Sequence, residues 1–253
     1  MPLRDFDDST LWRISAFERM RVQTGNSGFA ALEGRATVLP TTLLADLGRI
    51  ENDPQNRDVL ELMAACMRHR EPAVLLLQVD AFVWPVTLFP SSMLYHSPRD
   101  LAQAPLTALA SIQVIDIEPP GVKPPGHWMH ERIAAADRYR PLVPLLWTLA
   151  LQGPRRTLLT EIAGNAAYRA LSAPAEEALA APGAMGSAAE RLRAQSVPLR
   201  EIAAWPGMST ERASRLINAL YLSQRLLISR SQASARGQPQ DGTARTPWWK
   251  PRR

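Results

Sequence analysis

The chain has 253 residues, of which 46% are hydrophobic and 21% charged, ordinary proportions that exclude wholesale disorder and allow two domains with cores of their own. Its formal charge of +5 is uneven, since residues 1–185 sum to −3 and residues 186–253 to +8. Attraction to an anionic partner is therefore expected from the C-terminal quarter alone, where it is local and salt-sensitive.

The first residues, MPLRDFDDST, are acidic where a secretory signal is basic and then apolar. Cys66, the single cysteine, excludes an intramolecular disulfide and fits a reducing compartment. The runs AVLLLQVDAFVWPVTLF and PLVPLLWTLAL are broken by Gln78, Asp80 and prolines, and are too short to span a bilayer as helices. A cytoplasmic protein without a membrane partner is expected.

In chain order, Leu11, Ile14, Phe17 and Glu18 predict an amphipathic helix over Thr10 to Met20, closed by the turn residues Gly25, Asn26 and Gly28. TTLLADLGRIE predicts a second helix. NRDVLELMAACMRHR predicts a third, with Val59, Leu62, Met63 and Cys66 at i, i+3, i+4 and i+7. AVLLLQV and FVWPVTLFP read as a hairpin turning at Asp80 and Ala81, with Pro85 marking an edge or bulge; SIQVIDIEP reads as a third strand. The fold class is α+β, with an N-terminal domain of helices and a small antiparallel sheet over residues 1–118.

A proline-rich connector, residues 119–126, follows. A mostly helical region over 127–231 is expected next, with one helix in HWMHERIAAADRYRPLVPLLWTLALQG, broken at proline, and another in TLLTEIAGNAAYRAL. SAPAEEALAAPGAMGSA reads as a loose loop, and residues 232–253 as a disordered basic tail.

The stretch LREIAAWPGMSTERASRLINALYLSQRLLIS has more structure in it. Leu199, Ile202 and Ala203 make a short helix that Trp205, Pro206 and Gly207 must end. Ser209 is an N-cap, followed by Arg212 where a capping box has Glu or Gln. Ala213, Leu216, Ile217 and Leu220 then form an apolar stripe, and RLLIS after Gln224 reads as a strand. Residues 188–231 in this order resemble the helix-turn-helix core of winged-helix domains, within a mostly helical C-terminal region.

The resemblance implies a bacterial-type regulatory or adaptor protein whose second helix enters the DNA major groove, or, as such folds also serve without nucleic acid, docks another protein. The side chains opposite the stripe are Glu211, Arg215, Asn218 and Leu222, flanked by Thr210, Arg212 and Ser214. Arg215 and Asn218 suit guanine and adenine edges. Leu222 with Tyr221 suits a protein better, and a protein partner is the expectation, with DNA as the alternative. No second alternating strand follows LLIS where winged-helix domains have a wing hairpin, which leaves the completeness of the wing open, and Arg230 with the tail is a substitute phosphate-binding arm. In that tail Trp248 and Trp249 are candidate anchors for a partner groove or for bases.

Catalytic signatures are sparse. His127 and His130 lie one helical turn apart beside Glu131, but two imidazoles are not a zinc site. TGNSGF lacks the Lys-Ser/Thr ending of a phosphate loop, and G-x-S-x-G does not occur. Cys66 lies in an apolar helix, and Asp53, Asp58 and Glu61 read as a solvated face. No enzymatic activity, metal or cofactor is expected.

Overall fold

Alternation builds the strand on which the N-terminal half is organised. In Ala73–Val79 every second side chain, from Ala73 through Leu75 and Leu77 to Val79, is buried. The computed structural model describes residues 11–24, 39–52, 58–171 and 179–230. Its first elements are β1 (Trp12–Arg13), α1 (Ile14–Thr24), α2 (Thr41–Glu51) and α3 (Val59–His69), followed by β2 (Ala73–Val79), β3 (Phe82–Phe89), β4 (Leu94–His96), α4 (Leu106–Ala110) and β5 (Gln113–Glu118).

The predicted hairpin is β2 and β3, in register from Ala73 opposite Leu88 to Val79 opposite Phe82. It turns at Asp80 with φ of +53°, a conformation Asp tolerates better than most residues. The sheet order is β5-β2-β3-β4, with β1 also on β3, and all these pairings are antiparallel. β1 pairs with Phe82 and Val83, and β4 with Thr87 to Phe89. Pro85 falls between these pairings, on the locally unpaired edge that suits a proline.

The connector does not end this sheet. Residues 127–138 form short 3₁₀ turns at His130–Arg132 and Ala136–Arg138 instead of a helix, and Tyr139–Pro141 joins the sheet as β6, beside β4. The helix expected from Ala, Glu and Arg is overridden by this pairing, a tertiary choice that propensity does not carry. The boundary placed at residues 119–126 is corrected accordingly.

α5 (Leu142–Gln152) is apolar on all sides, with Leu142, Leu145, Leu146, Trp147, Leu149, Ala150 and Leu151 buried. Such a helix belongs at a centre. It packs on α3 and α4, and on the later helix α8 (Thr210–Leu222). One hydrophobic cluster consequently runs from Leu11 to Leu222, where two cores were expected.

The helix expected over residues 157–171 is a loop and then a strand, β7 (Ala167–Ala170). Gly164, at φ of +97°, interrupts any helix there, and Tyr168 is fully buried with its hydroxyl donating to Ile162 O at 2.7 Å. α6 (Ala184–Ala194), β8 (Val197–Pro198), α7 (Leu199–Ala203), α8 and β9 (Leu226–Ser229) follow among the described residues. The second sheet has the antiparallel order β8-β7-β9, so its middle strand comes from upstream of α6.

A shared core predicts shared unfolding. Leu145→Ala on α5 and Leu222→Ala on α8 should each cost about 2–5 kcal/mol and move one and the same urea transition. Two resolved transitions, of which only one responds to Leu222→Ala, would show a separable C-terminal unit.

Candidate functional site at the helix-turn-helix segment

The turn and cap form as their residues dictate. Gly207 has φ of +72°, and a Cβ there would stand 2.8 Å from the Ala184 Cβ, so the turn needs glycine twice over. Ser209 Oγ accepts the Arg212 N–H at 3.2 Å and starts α8. Ala213, Leu216, Ile217 and Leu220 are buried.

The opposite face of α8 differs from the expectation. Ser214, Asn218 and Leu222 are buried, Asn218 completely, and Arg215 and Tyr221 are half-buried. Asn218 Oδ1 accepts from Leu159 N at 3.0 Å, and its Nδ2 donates to Thr157 O at 2.9 Å. Arg215 Nη1 donates to Leu151 O and Gly153 O, both at 2.9 Å, and Nε donates to Glu211 Oε1 at 3.1 Å. Arg215 thus satisfies carbonyls at the C-terminal end of α5, a role an arginine fills well. The outward placement of Arg215, Asn218 and Leu222 is corrected: α8 lies between α5 and the loop of residues 153–166, and its polar side chains serve buried backbone.

Thr210 and Arg212 are exposed as expected, with Arg212 Nη1 on Gly207 O at 2.5 Å. Arg230 is exposed and donates to Glu161 O at 2.9 Å and Ala163 O at 3.2 Å. Trp248, Trp249 and the tail 232–253 lie outside the described residues.

Behind α8 sits a polar cluster that encloses Asp58 and Glu61, two of the three carboxylates expected on a solvated face; the third, Asp53, lies outside the described residues. Arg155, its side chain 3% exposed, bridges Asp58 Oδ2 at 2.5 Å and Glu61 Oε1 at 2.8 Å. It also donates to the carbonyls of Thr157 and Leu158. Glu61 Oε1 accepts from both N and Oγ1 of Thr160 at 2.6 Å, and Asp58 Oδ1 caps α3 through Leu60 N and Glu61 N. The partners are up to 99 residues apart in sequence, so no local pattern announces them.

A second, wetter chain runs alongside. Arg68 joins Asp46 at 2.6 Å and also pairs with Glu161, while His69 Nε2 meets Asp46 Oδ2 at 2.7 Å. Burial alone pushes the Asp46 carboxyl up, but His69, Arg68 and Arg49 together hold it below its ordinary value. Burial holds Glu161 above its ordinary value despite Arg68, and burial followed by the Glu161 charge pushes the Tyr221 hydroxyl up to about 12. Cys66 is an inert buried thiol, raised to about 12 by desolvation. Among the described residues no three His, Cys, Asp or Glu side chains gather as a metal site, and His130 and Glu131 are exposed.

No family model matches the chain, and no curated protein or solved structure matches it.

Arg155→Met strands two carboxylates and should cost about 3–5 kcal/mol in urea unfolding, and adding Glu61→Leu should recover part of that. A loss below about 1 kcal/mol would mean the pair is solvent-screened. Glu161 gives a pH signature. A carboxyl held above its ordinary 4.5 binds its proton more tightly folded than unfolded, so its contribution is present below 4.5 and lost as pH rises through the folded value. Thermal melts across that range should show a decline in the parent chain that Glu161→Gln flattens.

Proposed function

We propose that the chain is a non-enzymatic regulatory or adaptor protein of the cytoplasm, whose C-terminal winged-helix-like unit mediates protein–protein interaction. The sequence of α6, β8, α7, a tight turn, α8 and β9 supports the winged-helix reading. In place of a wing strand returning after β9, β7 fills the middle of the sheet from upstream. The unit is a winged helix with its third strand permuted to the front.

One observation carries the choice of partner: the side chains that suit base edges are bonded to the protein's own backbone, while β9 lies at an edge of its sheet. Reading DNA with Arg215 and Asn218 would require stripping α8 from α5. Among the described residues no strand pairs with the second edge of β9, whereas Leu227 on that strand is 51% exposed and nearby Leu171 45%. An extended segment laid along β9 gains main-chain hydrogen bonds and leucine contact, the usual terms of strand addition. Arg225 and Arg230 flank β9 in sequence, and residues 225–230 hold no carboxylate, so the favoured segment is neutral or acidic. Among the described residues no helix is long and apolar enough to cross a membrane.

Two measurements separate the readings. Leu227→Glu should abolish co-purification of the partner from native cells while leaving the thermal transition in place. A labelled random duplex titrated with the full chain should give the same isotherm for the parent and for Arg212→Ala; a weakening of about tenfold or more would return α8 to DNA.

A further inference from the structure

The proline-rich stretch after β5 forms part of a cleft. Pro120 and Pro124 line an open cavity of about 280 Å³ together with Pro72, Phe89 and Pro90. The stretch is pinned in place. Lys123 N donates to Arg132 O at 2.8 Å, and the Tyr139 hydroxyl donates to Lys123 O at 2.5 Å while accepting Ala134 N at 3.0 Å. With φ fixed in each proline ring, the apolar lining is preorganised and loses little entropy on taking up a ligand.

The charge in this cleft has a single sign. Arg70 and Lys123 line it beside the His127 ring, and no carboxylate does. Neither Arg70 nor Lys123 has an ion-pair partner among the described residues. In a chain whose other described cations are arginines, the one lysine stands here, a compact ammonium with three rotatable donors. Met129 N–H donates to His127 Nδ1 at 3.2 Å, which leaves Nε2 as the protonated, donating nitrogen, and the ring rests on Trp128 at 5.7 Å. A cavity just below the roughly 300–1,000 Å³ range of small-molecule sites suits a ligand of about one ring.

The head group follows from the helix beside it. Arg70 is the C-cap of α3, so the negative end of that helix, roughly half an elementary charge, lies at the cleft and disfavours a dianion. A guanidinium and an ammonium still accommodate a monoanion, and carboxylate is the planar one that Arg grips with two hydrogen bonds.

We propose that this cleft binds a small carboxylate carrying a flat apolar body, its head between Arg70 and Lys123 and its ring against Phe89 and the prolines. This holds whether or not β9 docks a partner, because the cleft shares no residue with that edge.

The test uses the full chain and phenylacetate, followed by saturation-transfer NMR and calorimetry. Binding near a millimolar dissociation constant is expected for about ten heavy atoms. The neutral isostere phenylacetamide should bind about tenfold more weakly, and phenyl phosphate should not exceed phenylacetate. The double variant Arg70→Gln, Lys123→Gln should weaken phenylacetate by about tenfold or more and leave the amide and the melting temperature unchanged. The proposal is overturned by an absence of phenylacetate binding at about 10 mM, by equal affinity for the amide, by tighter phenyl phosphate, or by a double variant that binds as the parent does.

Discussion

The buried guanidinium of Arg155 is what the C-terminal half rests on. It stands between Asp58 and Glu61 with its remaining donors on Thr157 and Leu158 carbonyls, so the loop after α5 is fastened to the start of α3. That loop has little regular structure to satisfy its backbone, and burial without partners would cost about 1–3 kcal/mol per group. The Arg155 cluster, Thr160 on Glu61 and Asn218 on Leu159 and Thr157 supply those partners. Removing one member exposes the others to the same penalty, which makes the set cooperative even though a buried ion pair need not stabilise a fold by itself.

Once the loop is fixed, the character of α8 follows. It has apolar residues for one face and, on the other, Ser214, Arg215 and Asn218, a mixture that in isolation resembles a solvated or base-reading surface. Its surroundings decide otherwise: α5 ends in carbonyls that need donors, and the loop presents an N–H and a carbonyl that need an amide. Arg215 and Asn218 meet those needs. Enclosed by α5 and the loop, α8 keeps Thr210 and Arg212 of its first turn exposed, and β9 has one edge unpaired among the described residues.

What could be read from the sequence was local. α2, α3, the β2–β3 hairpin with its Asp80 turn, the Ser209 cap and the α7–α8–β9 order all depend on spacing and turn chemistry within about ten residues. The misreadings share a cause. Residues 127–138 look helical by composition, yet Tyr139–Pro141 pairs with a strand more than forty residues upstream, and Ala167–Ala170 pairs with β8 beyond α6 and with β9 beyond α8. The helical wheel of α8 assumes a single buried face, which the burial of Ser214, Asn218 and Leu222 contradicts, and Asp58 and Glu61 read as solvated because their partner Arg155 is nearly a hundred residues away. The cleft is of the same kind: Pro120, Lys123 and His127 meet Arg70, Pro72 and Phe89 only after the chain has folded back.

α3 links these parts, since its first residues belong to the Arg155 cluster and its last to the cleft, about 16 Å apart along a rigid rod. From its last turn, Arg68 reaches Glu161, whose backbone carbonyl also receives Arg230 just past β9. A ligand at Arg70 and a partner at β9 are therefore joined by contiguous contacts, but contiguity gives coupling only where an element has two arrangements of similar energy. The Arg155 cluster is a poor place for that, because each broken contact leaves a buried charge. The Asp46, Arg68, Glu161 and Tyr221 group is more open at Arg68, whose side chain is 33% exposed, but its carboxylates Asp46 and Glu161, at 18% and 13%, are about as enclosed as Asp58 at 17%. Both groups therefore tie α3 to the loop under α8, the Arg155 cluster at the start of the helix and the Arg68 pairs at its end.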